Sequence, residues 1–502
     1  METGVIISLS VYFISMIAIG LYAYRVSTND MSGYMLGGRQ LGPTLTAMSA
    51  GASDMSSWIL MGLPGALYLN GLSSAWIIVG LLIGAYANYL FVAPRLRVYT
   101  EIASDAITLP DYFENRFEDK SRTLRLISSL VIIVFFTLYT SSGLVGGGKL
   151  FESSFGLSYE LGLYVTAGVV VIYTVFGGFL GVSMTDLAQG LVMLIALVLV
   201  PWVVFDNLGG VIEVTDTINQ LDPQYLSWFG TTSAIAIISA IAWGLGYFGQ
   251  PHIVVRFMAI RSVKDVKVAR RIGMSWMFVT ISGAAATGLV GIAYVAKTGM
   301  ELADPETIFI VFSQILFNPL ISGFLLAAIL AAIMSTVSSQ LLVTSSSLTE
   351  DLYKTFFRRS ASQKELVLLG RLSVIIVSFV AIALAYDRDS SILDLVSNAW
   401  AGFGAAFGPL ILFSLFWKRM TYAGALAGML TGAITVLIWI YLPVVIDGEK
   451  THLSSLIYEI VPGFIISTLS IIIVSLMTKA PSASMQLLFD QMLHHLKRET
   501  TR

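Results

Sequence analysis

Cysteine is absent from the 502 residues, which excludes disulfides, thiol catalysis and cysteine-held zinc or iron–sulfur centres. The lack leaves the redox compartment open. Charge is scarce too: Asp, Glu, Lys and Arg make up 12% of the chain, about half the share usual in soluble domains. With 56% hydrophobic residues and a mean hydropathy of +0.81, the chain reads as an integral membrane protein. The net charge of −2, with no basic stretch interleaved with aromatics, gives no footing for nucleic acid. A cleavable leader is not expected. The first apolar run is of spanning length, Glu2 stands where a basic region would be, and no small-x-small cleavage site follows.

What is present is a series of apolar segments. Thirteen reach spanning length, near 4–24, 43–65, 72–94, 126–148, 158–178, 184–205, 232–250, 272–296, 308–345, 367–386, 393–416, 422–443 and 458–478. The ninth exceeds one span, with room for a turn at Asn318-Pro319. Basic residues orient the series. With the N-terminus outside, 25 of the 29 lysines and arginines fall inside, from Arg25 and Arg39 to the tail, leaving Lys149, Lys297, Arg388 and Lys450 outside. An odd number of crossings and a cytoplasmic C-terminus follow. Stretch 482–499 places Met485, Leu488, Phe489, Met492, Leu493 and Leu496 on one face and is expected to lie on the inner leaflet.

The second segment holds Gly-Ala-Ser-Asp-Met-Ser-Ser at 51–57, putting Asp54 near the bilayer midplane. A charge there costs at least ~2.5–3.5 kcal/mol on insertion scales, so a cavity, partner or ion is expected to compensate it. Small neighbours let the backbone unwind and turn carbonyls into such a cavity. Residues 242–251 hold three glycines and a proline and break the seventh segment in the same way. Breaks in the second and seventh segments, five crossings apart, give an inverted five-plus-five repeat with a site between two discontinuous helices.

Several side chains then have two readings each. Ala332, Ser335, Thr336 and Ser339 share one helical face; hydroxyl and carbonyl oxygens suit a hard cation such as sodium, or they bond their own helix and ease packing. Tyr139, Trp243 and Tyr247 either wall a small-solute pocket or pack. Asp186, at the start of the sixth segment and near a membrane edge, is a helix N-terminal charge or a transport residue. Arg39 is a headgroup anchor or a functional group. An aspartyl protease dyad of Asp54 and Asp186 fails on depth, since the two must share a proton at close range. A channel fails because its donors would come from dissimilar helices.

The ordered motifs extend from residue 8 to 480: Leu36-Gly-Gly-Arg39 with Leu41-Gly-Pro43, GASDMSSWILMGLPG (51–65), GGFLGVSMTDLAQ (177–189), GLGYFGQPHIVVRFMA (244–259), LAAIMSTVSSQLLV (330–343), TEDLY (349–353), AWAGFGAAFGPL (399–410) and WKRMTYAGALAG (417–428). In these the chain resembles the sodium:solute symporters, and among them the bacterial sodium/proline symporters. The resemblance implies an all-α integral membrane fold with a LeuT-type core: first repeat 43–205, second repeat 232–416, helix 1 and two helices in 422–478 peripheral, and a cytoplasmic tail 479–502. It implies sodium near the carbonyls of Ala52, Met55 and Ala332 and the hydroxyls of Ser335 and Thr336, with Asp54 needed for coupling. Ser56, Ser57, Tyr139, Trp243 and Tyr247 would border the proline site, and Arg39, Ser49 and Asp186 would affect coupling. Ser57 departs from the glycine common at its position, and its hydroxymethyl would narrow the pocket. The expected activity is sodium-coupled symport of L-proline across the cell membrane, without covalent chemistry, cofactor or protein partner.

Overall fold

Hydrocarbon offers no partner to a free N–H or C=O, so a chain this apolar must close its backbone hydrogen bonds within each segment. The computed structural model describes residues 2–26, 30–230, 232–386, 391–446 and 449–501, and it is helical nearly throughout. A short antiparallel hairpin pairs Pro443–Ile446 with Glu449–His452. Arg388, counted above among the outside basic residues, lies outside the described residues.

Among the described residues, ten helices are long and apolar enough to cross a bilayer, or eleven when the bent pair Ala234–Phe248 and Pro251–Ala259 is taken as one span. The thirteen apolar segments map onto fewer continuous helices because some helices run through corners. Tyr159–Asn207, 49 residues long, takes in both 158–178 and 184–205 and turns at Gly178 (φ 54°). A Cβ there would meet the Tyr34 ring at 2.7 Å, so the corner requires glycine twice over. The long ninth segment divides where the sequence places its turn. Helix Ile308–Ile315 stops, and Asn318 caps Pro319–Ser346 by accepting from Leu320 N and Ile321 N, both at 3.1 Å.

Burial sorts the helices. Pro319–Phe357 and Ile392–Phe416 are each 83% buried over their most apolar stretch and form the centre; Thr3–Val26 and Ile460–Met477, at 28%, are peripheral. Ile14, Trp202 and Phe379 point outward from the rim, as lipid-facing residues should. The tail departs from expectation. Helix Ala483–Thr501 buries Met485, Phe489 and Met492 against the bundle, with the Phe489 ring edge-on to Tyr99 at 6.2 Å. Its apolar face is taken by protein rather than by lipid.

Candidate functional site

The first interruption follows from its residues. Helix Pro43–Asp54 starts with proline at its first position, and it ends where Met55 leaves helical geometry (φ −87°, ψ 83°). The chain re-enters a helical path at Ser57 and passes through one wide turn, Trp58–Gly62. Residues 52–57 are buried, so each carbonyl freed by the break needs a partner. Trp58 Nε1 donates to Asp54 O at 3.2 Å. Ser335 Oγ donates to Ala52 O at 2.7 Å and also reaches Ala332 O at 3.1 Å, while Thr336 Oγ1 reaches Ala332 O at 3.2 Å. The contact between Ser335 and Ala52 brings together four of the five oxygens expected around sodium. Met55 is buried at the break itself, and its sulfur accepts from Thr280 Oγ1 at 3.9 Å.

The second interruption is a tight turn, Trp243–Phe248, followed by Gly249, Gln250 and helix Pro251–Ala259. Side chains again meet the freed carbonyls: Trp400 Nε1 donates to Trp243 O (2.7 Å) and Asn88 Nδ2 to Tyr247 O (2.9 Å). A Cβ on Gly246 would fall 1.9 Å from Trp400 Nε1, so the indole reaches its acceptor only past a glycine. The breaks meet where the Tyr247 hydroxyl donates to Asp54 Oδ2.

Tyr139, Ser56 and Ser57 are buried beside that crossing. The Ser56 and Tyr139 hydroxyls face each other, but neither closes a hydrogen bond, and the Ser57 hydroxyl has no partner. The Ser57 side chain abuts Gly146, where a Cβ would lie 2.9 Å from Ser57 Cβ. The glycine makes room for the hydroxymethyl that the sequence places at 57. Trp243 stacks on Tyr458 (5.3 Å) and borders a cavity of about 580 Å³ with Ser239, Asp394 and Glu459.

Asp186 is fully buried within the protein, accepts from Ser49 Oγ at 2.7 Å, and pairs with Arg256 Nη2 at 3.3 Å. Arg256, placed by the sequence among the inner-loop basic residues, is fully buried too. It donates to Ser49 Oγ (3.0 Å), Ser339 Oγ (2.5 Å) and His252 O (2.6 Å). A lone arginine in the apolar run PHIVVRFMA was the signal for it. Asp54 and Asp186 answer to different partners and make no proton-sharing dyad.

Arg39 is likewise buried rather than anchored among headgroups. Its backbone is left-handed (φ 55°), and it donates to Ala106 O (2.7 Å), Met258 O (2.9 Å), Thr100 Oγ1 (3.1 Å) and Asp105 Oδ1 (2.9 Å). Burial pulls its guanidinium pKa down, against the pull of Asp105. Leu41 N donates to Ala259 O at 3.1 Å and Arg261 N to Leu41 O at 3.0 Å, so the start of the first broken helix is tied to the end of the second. Elsewhere in the bundle, Lys149, paired with Asp304 (3.3 Å) and Glu306 (3.1 Å), borders a cavity of about 820 Å³. Among the described residues, no three His, Asp or Glu side chains gather as transition-metal ligands.

Two interrupted helices meeting in mid-bundle, with neutral oxygens beside a buried carboxylate, define an ion-coupled membrane transporter rather than an enzyme. The chain belongs to the sodium:solute symporter family, whose model matches residues 34–432. It is 58% identical over 501 residues to the osmoregulated proline transporter OpuE of Bacillus subtilis, covering 99% of this chain and 100% of that one. It is 60% identical to the high-affinity proline transporter PutP of the same organism (93% and 97% covered) and 57% identical to a sodium/proline symporter of Staphylococcus aureus (95% and 93%). Among solved structures, a substrate-bound, outward-open sodium-coupled sialic acid symporter aligns with a TM-score of 0.80 at 21% identity, covering 96% of this chain and 99% of that one. A nucleobase-cation-symport-1 family transporter in a closed conformation aligns at 0.55 with 13% identity (91% and 98%). These two share the fold.

Proposed function

We propose that the chain carries sodium and L-proline into the cell together by alternating access. Three relatives at 57–60% identity named as proline transporters support the substrate. Within the molecule, the observation that carries the coupling is the 2.7 Å bond from Ser335 Oγ to Ala52 O, which joins a helix face of oxygens to the first break. Sodium binds there, among the carbonyls of Ala52, Met55 and Ala332 and the hydroxyls of Ser335 and Thr336, with Asp54 supplying negative charge nearby. Proline occupies the space bordered by Ser56, Ser57, Tyr139, Tyr247 and Trp243. Ser49, Asp186 and Arg39 act on coupling by holding one end of the bundle shut, while the cavity at Lys149 leads to the other.

Thirteen crossings follow if the corner at Gly178 and the turn at residues 71–75 reach the bilayer surface, dividing Tyr159–Asn207 and Trp58–Ile102 in two. The repeats are then 43–205 and 232–416 in a LeuT-type arrangement, with the N-terminus outside and the C-terminus inside. Zwitterionic proline carries no net charge, so one sodium moves one charge, worth ~2.3 kcal/mol per 100 mV. Labelled-proline uptake into proteoliposomes, with and without an imposed sodium gradient, tests the proposal. Equal uptake in potassium or choline, or no competition by unlabelled proline, overturns it. A different small solute on the same scaffold is the second reading, favoured by the fold shared with a sialic acid symporter, and competing amino acids and sugars in the same assay decide between them.

A further inference from the structure

His252 is fully buried, yet neither ring nitrogen has a hydrogen-bond partner. Buried polar atoms are almost always met, and a neutral imidazole has one donor and one acceptor to satisfy. Its surroundings explain why no protein group does so. The ring packs edge-on against Phe136 (centroids 5.4 Å), which has no polar atom, and Tyr139 (6.0 Å, perpendicular), whose hydroxyl makes no bond to it. It belongs to the second residue of helix Pro251–Ala259, immediately after the break, where the helix dipole favours an anion, while Ile253 N and Val254 N are taken by Gln250 O. Other unmet polar atoms belong to the segments that converge here: the hydroxyls of Ser56, Ser57 and Tyr139, and Asp54 Oδ1. These unmet groups lie on the segments beside the His252 ring, where a bound solute would meet them.

We propose that His252 contacts the solute, its ring N–H donating to the carboxylate of the bound amino acid beside the Tyr139 ring. This rests on the symport reading above and adds to it the residue that selects a carboxylate at that end of the pocket. The bland alternative is an aromatic spacer: Phe136 also packs on Phe403 at 4.4 Å, and a phenyl ring at 252 would fit such a cluster.

The two roles separate by substitution. His252→Phe keeps a ring and removes both polar atoms; His252→Gln keeps a donor and an acceptor and removes the ring. Uptake into proteoliposomes is measured with proline, and with prolinamide, which lacks the carboxylate, as competitor. For the contact, His252→Phe raises the proline KM about tenfold or more and leaves the prolinamide inhibition constant within about twofold, so the preference for a carboxylate collapses. His252→Gln then stays near the parent. Half-saturation by sodium at saturating proline moves less than about twofold in both. A spacer predicts the reverse, His252→Phe near the parent and His252→Gln impaired for both compounds alike, and that pattern overturns the proposal. Should the phenyl variant fail to assemble, His252→Leu, also apolar, is read by the same proline-to-prolinamide ratio. A parent protein that does not transport proline sinks the symport reading, whereas a parent that does, with an unchanged ratio in the apolar variant, sinks the histidine contact alone.

Discussion

The Tyr247 hydroxyl donates to Asp54 Oδ2, and through that bond the two interrupted helices hold each other's broken ends. Asp54 Oδ1 has no partner, so the carboxylate is half met in a site of low dielectric. A cation arriving between the breaks completes what Tyr247 begins. Tyr247→Phe removes the hydroxyl and keeps the ring. Loss of a buried partner costs about 1–3 kcal/mol, which corresponds to a rise of about five- to 150-fold in the sodium needed for half-maximal uptake if the pair serves the ion. Sodium titrations of the variant that overlay the parent would assign the bond to structure alone.

The second buried acid makes a stability prediction. Asp186 and Arg256 pair at 3.3 Å with no side-chain exposure on either. Breaking such a pair from one side strands a charge and costs about 3–5 kcal/mol, whereas replacing both partners by apolar groups is far milder. Asp186→Leu and Arg256→Met are each expected to lower the melting temperature in detergent sharply, and the double variant to recover part of the loss. A double variant no better than the worse single variant means that the two residues are not an energetic unit.

The tail carries a prediction about accessibility. Met492 is fully buried against the bundle, whereas Leu487, on the opposite face of the same helix, is 58% exposed. In this cysteine-free chain, Leu487→Cys should react rapidly with a water-soluble maleimide in inside-out vesicles. Met492→Cys should react at least about tenfold more slowly, because labelling there waits on undocking. Similar rates at both positions would place the helix away from the protein, on the membrane surface.

How much of this was legible depends on what each residue betrays by itself. Asp54 stands out because a carboxylate flanked by small residues in an apolar run has no soluble-protein explanation, and the glycines and proline of 242–251 announce the second break. The corner at Gly178 did not announce itself as part of a continuous 49-residue helix, since hydropathy drops at such a bend as it does at a loop. Arg39, Arg97, Arg116, Arg125 and Arg256 all read as inner-leaflet charges, yet all are buried. Their partners are carbonyls, aromatic rings and acids from distant segments, such as Met258 O for Arg39 and the Tyr99 face for Arg116. Counting basic residues orients a bundle but cannot tell a headgroup contact from a lock. The tail misled for a related reason: an amphipathic helix fits a membrane surface and a protein groove equally well.

Orientation has a direct check. Asn207 and Ser360 are both exposed, the first at the end of helix Tyr159–Asn207 and the second in the turn before helix Gln363–Leu384. Single cysteines there should label with an impermeant maleimide from outside and from inside respectively. Reversed accessibility overturns the topology inferred from the distribution of basic residues.

The sodium site gives the most discriminating test. Ser335 and Thr336 are adjacent, about 100° apart around a helix, so both can flank one ion. Both hydroxyls also reach Ala332 O, at 3.1 and 3.2 Å, which is the geometry expected of side chains that merely bond their own helix. What distinguishes Ser335 is its second bond, 2.7 Å to Ala52 O across the break. An ion between these oxygens would turn each hydroxyl proton away from its carbonyl and a lone pair toward itself. Thr336→Val keeps shape and removes an oxygen; Ser335→Ala does so with a small loss of volume. If each oxygen ligates sodium, each variant should need about tenfold more sodium for half-maximal uptake, within the 1–3 kcal/mol expected for a lost buried polar contact. The proline KM at saturating sodium should move much less. Hydroxyls that only pack would instead lower thermal stability and leave the sodium curve in place. Ser335→Ala is the sharper of the two, because it also frees Ala52 O. If its sodium titration matches the parent, the contact across the break is structural and the ion binds elsewhere.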